Sequence, residues 1–122
     1  MKTILIVDDE KEIRDLLAKK LIQENFSVLT ASNWEETRDA AKTNNPDLIL
    51  LDIAMPVVDG YMTCEMLKKD PQTKNIAVLF LTDKDLQPKA MIEHCQDLSA
   101  SGFISKFSTL KDLVAKIKEI LP

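Results

Sequence analysis

Asp8 and Asp9 follow the apolar run 4–7, and Asp52 closes a second apolar run at 48–51. Carboxylates are costly at the edge of a core unless something pairs with them. Two more apolar runs end on polar groups, Thr82 after "LFL" and Lys106 after "GFIS". If these ends converge, three carboxylates meet a hydroxyl and an ammonium. Two carboxylates about 4 Å apart repel by roughly 4 kcal/mol at an effective dielectric near 20, so such a pocket calls for a cation. Oxygen donors in a chain with one histidine and two cysteines suit Mg²⁺, which keeps several of its waters. A divalent ion held there bridges carboxylates to a phosphate. The chemistry that fits is the holding of a phosphoryl group. Its nucleophile would be a carboxylate, since the sequence offers no Ser–His or Cys–His pairing.

Each residue alone has a plainer reading. An acid after a strand is most often a helix N-cap, a threonine there a cap, and a lysine a solvated charge. Four segment ends sharing one position in a fold weigh against that reading for the set.

The elements that must position these groups alternate in hydrophobic period. Strand-like runs cover 3–7, 27–31, 48–51, 76–81 and 103–105, and those at 3–7, 48–51 and 76–81 are almost continuously apolar. Strands covered on both faces have that character. Helical patterns cover 10–25, 33–43, 60–69, 86–98 and 109–121. The first carries Ile13, Leu16, Leu17 and Leu21 as its stripe. Asn33 is placed to cap the second, with Glu35 and Glu36 in its first turn. Cys64 and Leu67 turn inward on the third, and the fourth has its stripe around Met91. The fifth buries Leu110, Leu113, Val114, Ile117 and Leu121, capped by Thr109 or Ser108.

Five strands alternating with five helices specify parallel βαβ units with right-handed crossovers. The expected fold is an α/β doubly wound parallel sheet with helices on both faces. Ligands bind such sheets outside the carboxyl ends of the strands, where strand order reverses. Asp8, Asp9 and Asp52 are expected to meet there.

Composition narrows the function classes. The chain of 122 residues fits one domain, and 45% hydrophobic with 30% charged residues is ordinary for a soluble globular one. Its sixteen Lys and Arg are scattered and net charge is −4, which argues against direct nucleic-acid binding. No apolar run approaches the roughly 18–20 residues of a membrane span, and the start lacks a signal peptide's apolar stretch, so the expected location is cytoplasmic. Cys64 and Cys95 read as buried, reduced thiols, and His94 as a helix residue beside the apolar stripe.

The motifs "VDDE" at 7–10, "LLDIAMPVVDG" at 50–60, "LT" at 81–82 and Lys106 together resemble the receiver domain of bacterial response regulators, over essentially the whole chain. The resemblance implies a five-stranded sheet in flavodoxin-like order 2-1-3-4-5. It implies Asp52 as the phosphoacceptor, receiving the phosphoryl group of a phosphohistidine on a sensor histidine kinase or phosphotransfer protein. Asp9, Asp52 and the backbone carbonyl of Ala54 would be Mg²⁺ ligands, with Asp8 acting through a metal-bound water. Lys106 and Thr82 would contact phosphoryl oxygens, and Phe103 would be the switch aromatic that turns inward when Thr82 moves. The face made by the fourth helix, fifth strand and fifth helix would then select a downstream target protein, or a second copy in a homodimer. Such a protein signals rather than turns over a substrate, catalysing only its own phosphorylation and dephosphorylation.

Three positions depart from the pattern. Asp83 stands where the family has a small residue, Phe107 where it has proline, and Ala54 offers no side chain to steer a hydrolytic water. The expected organisation is one receiver over 1–122 without an output module. A receiver-like interaction module that works without phosphorylation is the competing reading. An aspartyl-phosphate phosphatase would need a general acid two residues after its nucleophile, where Ala54 stands.

Overall fold

The computed structural model describes residues 1–82, 88–106 and 108–122. In chain order the elements are β1 Thr3–Val7, α1 Lys11–Gln23, β2 Ser27–Ala31, α2 Trp34–Asn44 and β3 Leu48–Asp52. They continue with α3 Gly60–Lys69, β4 Ala77–Thr82, α4 Pro88–Asp97, β5 Gly102–Ser105 and α5 Leu110–Ile120. Every strand pair is parallel and the sheet order is β2-β1-β3-β4-β5, as expected.

Side chains alternate across the sheet, and both faces are covered. Ile4, Ile6, Leu48, Leu50, Leu79 and Leu81 pack with Leu17 and Leu21 of α1 and Leu113 and Ile117 of α5. Leu5, Val7, Ile49, Leu51, Val78 and Phe80 pack in the opposite layer with Ala41 of α2, Cys64 and Leu67 of α3 and Met91 of α4. A strand with no solvent side cannot alternate in polarity, which is why these runs are continuous. Burying each of these large side chains is worth about 1.5–3 kcal/mol relative to exposure.

Among the described residues, polar side chains start three helices. Asn33 Oδ1 accepts from the Glu36 amide at 2.9 Å, Asp59 Oδ1 from the Met62 amide at 2.9 Å, and Thr109 Oγ1 from the Asp112 amide at 3.1 Å. Thr109 rather than Ser108 therefore caps α5. Helix α1 has no side-chain cap, and its preceding residue is Glu10. The plain reading of Asp8 or Asp9 as N-cap is thereby removed. Asp8 Oδ1 instead accepts from the Glu10 amide at 2.9 Å, closing a tight Asx turn at the strand end.

Some expectations shift. Helices α1 and α5 are shorter than their patterns at both ends, α4 ends one residue before its pattern while positions 86 and 87 lie outside the described residues, and Asp52 and Thr82 are the last residues of their strands. Leu16 is 53% exposed, because it lies at the edge of the α1 stripe. Cys64 and Cys95 are buried and unpaired, as expected. His94 is exposed on α4 and stacks on the Tyr61 ring at 4.8 Å between centroids. Among the described residues no helix is long and apolar enough to cross a membrane.

Candidate functional site

Alternation along the strands decides which groups meet. Asp52 continues the Leu48 and Leu50 register of β3 toward the α1/α5 layer, and the Asp8 side chain lies beside it. Lys106 follows β5 directly, its amide bonded to the Thr82 carbonyl at 2.7 Å. Its ammonium stands 3.0 Å from Asp8 Oδ2, 3.2 Å from Asp52 Oδ1 and 3.9 Å from Glu10 Oε1. Both aspartates are essentially fully buried, Asp8 at 0% and Asp52 at 1% exposure.

Thr82 has the opposite parity. It shares the register of Phe80 on β4, opposite Ser105, while Phe103 pairs with Phe80 and packs against the α3/α4 layer. Thr82 is buried at the strand end, on the side of the sheet that holds Phe103. The sequence-predicted residues thus form two groups, an acid–lysine cluster facing α1 and α5 and a threonine–aromatic pair facing α3 and α4.

Carboxylates outnumber the cation. Oxygen atoms of Asp8, Asp9 and Glu10 lie within 4.8 Å of one another, with Asp9 and Glu10 exposed at the mouth. Asp52 Oδ1 also accepts from the Ala54 amide at 3.3 Å, whereas the buried Asp52 Oδ2 accepts no hydrogen bond among the described residues. Asp8 Oδ2 forms its ion pair by distance, outside hydrogen-bonding angles. Burial pushes the Asp52 carboxyl from 3.8 up to about 7, Asp8 adds to the rise, and Lys106 opposes it. For Lys106, burial acts downward, but contacts with Asp8 and Asp52 outweigh it and hold the ammonium above the ordinary lysine value.

A buried carboxylate oxygen without a donor costs free energy until something pairs with it. That atom and the acid-rich, all-oxygen donor set fit a hard divalent cation. Ala54 is exposed and leaves the mouth open. Asp83 and Phe107 lie outside the described residues.

Three residues were not singled out as part of the site from sequence. Glu10 supplies a third carboxylate to the mouth, and its signal was the unbroken acidic run "DDE". Arg14 Nη1 donates to the Asp8 carbonyl at 2.8 Å and steadies the turn; one basic residue on a helix carries no such signal. Gly60 lets α3 begin against the end of β3, because a Cβ there would collide with the Asp52 carbonyl oxygen and with Ile53 Cα. Its amide donates to the Ile53 carbonyl at 2.9 Å, tying helix to strand.

A doubly wound parallel sheet with acids and a lysine gathered at its carboxyl edge defines a class of α/β proteins whose ligand site lies where strand order reverses. The family model described as response regulator receiver domain matches residues 4–118, and the chain belongs to that family. It is 36% identical to the alkaline phosphatase synthesis transcriptional regulatory protein PhoP of Bacillus subtilis, covering 98% of this chain and 48% of that protein. It is 34% identical to the phosphate regulon transcriptional regulatory protein PhoB of Pseudomonas aeruginosa, covering 98% and 52%. The chain thus spans about half the length of these relatives. Among solved structures, chemotaxis protein CheY4 of Vibrio cholerae superposes with a TM-score of 0.89 at 25% identity, over 98% of each chain. A putative response regulator of Chloroflexus aurantiacus gives 0.88 at 30% identity, over 98% and 97%.

Proposed function

We propose that this receiver accepts a phosphoryl group on Asp52 from a phosphohistidine of a sensor histidine kinase or phosphotransfer protein, and passes the signal to a target protein by changing shape. The observation that carries this reading is Asp52 itself. It is buried, and one oxygen is held by Lys106 and the Ala54 amide while the other has no donor.

In the transfer, a carboxylate oxygen of Asp52 forms a bond to phosphorus as the phosphorus–nitrogen bond to the donor imidazole breaks. The electron pair leaves with the imidazole. Asp8, Asp9, Asp52 and the Ala54 carbonyl would hold Mg²⁺, which when bound neutralises charge on the phosphoryl oxygens. Lys106 exchanges a carboxylate partner for a phosphoryl oxygen, and Thr82 donates to another. Two charge-assisted hydrogen bonds at roughly 1.5–3 kcal/mol each supply a bias of several kcal/mol. Moving an equilibrium from 1:99 to 99:1 takes about 5.5 kcal/mol. Thr82 and Phe103 share one side of the sheet, so a shift of the hydroxyl toward phosphate frees space into which the ring turns. The face of α4, β5 and α5 changes with it and selects the target.

Incubation with acetyl phosphate and Mg²⁺, read by intact mass, tests this. One added phosphoryl group on the wild type and none on Asp52→Asn is the expected result. An unmodified wild type would leave only a module that works without phosphorylation, and equal modification of both would exclude Asp52 as the acceptor.

A further inference from the structure

We infer that Lys68 is an acylation site, an amine that takes an acyl group from an activated donor, an acyl phosphate or a thioester. Lys68 lies in the last turn of α3 and is half-buried. It lines a cleft of about 360 Å³ with Glu65, Lys69, Asp97, Leu98 and Ser99. Its Nζ donates to the Ile76 carbonyl at 2.6 Å and to the Lys74 carbonyl at 3.1 Å. Among the described residues no carboxylate stands within 4.0 Å of that nitrogen.

Those contacts suit a neutral amine. An ammonium carries three N–H donors and a charge, whereas the neutral amine carries two donors and a lone pair. Two carbonyls satisfy the two donors, and the lone pair is left for attack. The charged form would add a third donor with no acid beside it. Burial accordingly pushes the Lys68 amine below the ordinary lysine value. Cys64, one turn back on α3, acts the other way, but burial raises that thiol to about 11 and keeps it uncharged at neutral pH. Of the charged groups lining the cleft, Glu65 is held by Lys69 at 3.0 Å, and Asp97 ends α4. A lysine shifted in this direction is a nucleophile at neutral pH.

In the reaction, the Lys68 nitrogen forms a bond to the acyl carbon as that carbon's bond to phosphate oxygen, or to thioester sulfur, breaks. The electron pair leaves with the phosphate or thiolate, which also takes the proton the amine gives up. An acylated Nζ keeps a single N–H, so the Lys74 or the Ile76 carbonyl loses its donor. Both carbonyls belong to the segment entering β4, so acylation loosens that entry.

The test is peptide mass mapping of the full chain after brief treatment with acetyl phosphate or with an acetyl thioester, without Mg²⁺. Lys68 should acetylate roughly five-fold faster at pH 7 than the exposed Lys19 and Lys74, since each unit of lowered pKa raises the free amine about tenfold. Its rate should also level off at lower pH than theirs. Lys68→Arg should lose that label and leave the rates at Lys19 and Lys74 unchanged. The donor that labels Lys68 faster identifies the source of the acyl group. Labelling by neither donor, slower labelling than at Lys19 and Lys74, or matching pH profiles would overturn the site. With Mg²⁺ restored, Asp52→Asn should keep the acetyl group on Lys68 while lacking the phosphoryl group, so the two readings fail separately.

Discussion

Lys106 Nζ stands 3.2 Å from Asp52 Oδ1 while also 3.0 Å from Asp8 Oδ2, so one ammonium serves two buried carboxylates. Removing it leaves two buried carboxyl groups with no counter-ion among the described residues. Lys106→Met is expected to destabilise the cation-free protein by ~3 kcal/mol, the scale for breaking a buried ion pair. Urea unfolding measures the loss. Millimolar Mg²⁺ should recover part of it, because the pocket then regains positive charge. Acetyl phosphate labelling of this variant should fall sharply.

Asp52 gives stability a pH dependence of definite sign. Its folded pKa of about 7 exceeds the unfolded 3.8, so the folded state binds more protons between those values. The contribution is fully present below pH 4 and is lost as pH rises through 7. Without Mg²⁺, wild-type stability should therefore fall across this window. Asp52→Asn should flatten the fall and be more stable at pH 8, by on the order of 2 kcal/mol after allowing for solvent at the mouth. Urea midpoints at pH 5, 6, 7 and 8 read both effects, and a wild type that stabilises across the window would contradict the assignment.

Asp9 lies at the mouth, its carboxylate within 4.8 Å of those of Asp8 and Glu10. Repulsion at that range in water is about 1 kcal/mol. Asp9→Asn should raise the cation-free melting temperature, and the added benefit of Mg²⁺ should shrink. Equal melting shifts with Mg²⁺ in both proteins would exclude Asp9 as a ligand.

Two backbone positions between the end of β3 and the first residue of α3 should respond in opposite directions. Gly60→Ala places a Cβ into the Asp52 carbonyl, so the helix start must move away from the acceptor strand. A loss of ~2–3 kcal/mol is expected from such overpacking, with slower acetyl phosphate labelling. Val57 is 98% exposed at φ 68, inside a tight turn closed by the Val58 amide on the Pro56 carbonyl at 2.8 Å. A β-branched residue is strained there. Val57→Gly should gain about 0.5–1 kcal/mol, which thermal melting measures.

Much of this was legible beforehand, for a physical reason. Continuous apolar strands and striped helices reflect which faces are covered, and burial is written directly into residue type. Runs such as "ILIV" and "LILL" therefore announced a sheet buried on both faces. The ends of those runs marked where Asp8, Asp52, Thr82 and Lys106 would gather. Element ends were less legible, because the last turns of α1 and α5 depend on contacts that composition does not encode.

The chain's own order of residues determined the doubly wound class, the carboxyl-edge location and the acidic character of the site, since each follows from local periodicity. Only the folded arrangement decided that Lys106 is shared between Asp8 and Asp52, while Thr82 sides with Phe103. It also placed Glu10 at the mouth and pressed Gly60 against the acceptor strand. These depend on strand parity and on approach between segments far apart in the chain, distances that no single stretch of sequence contains.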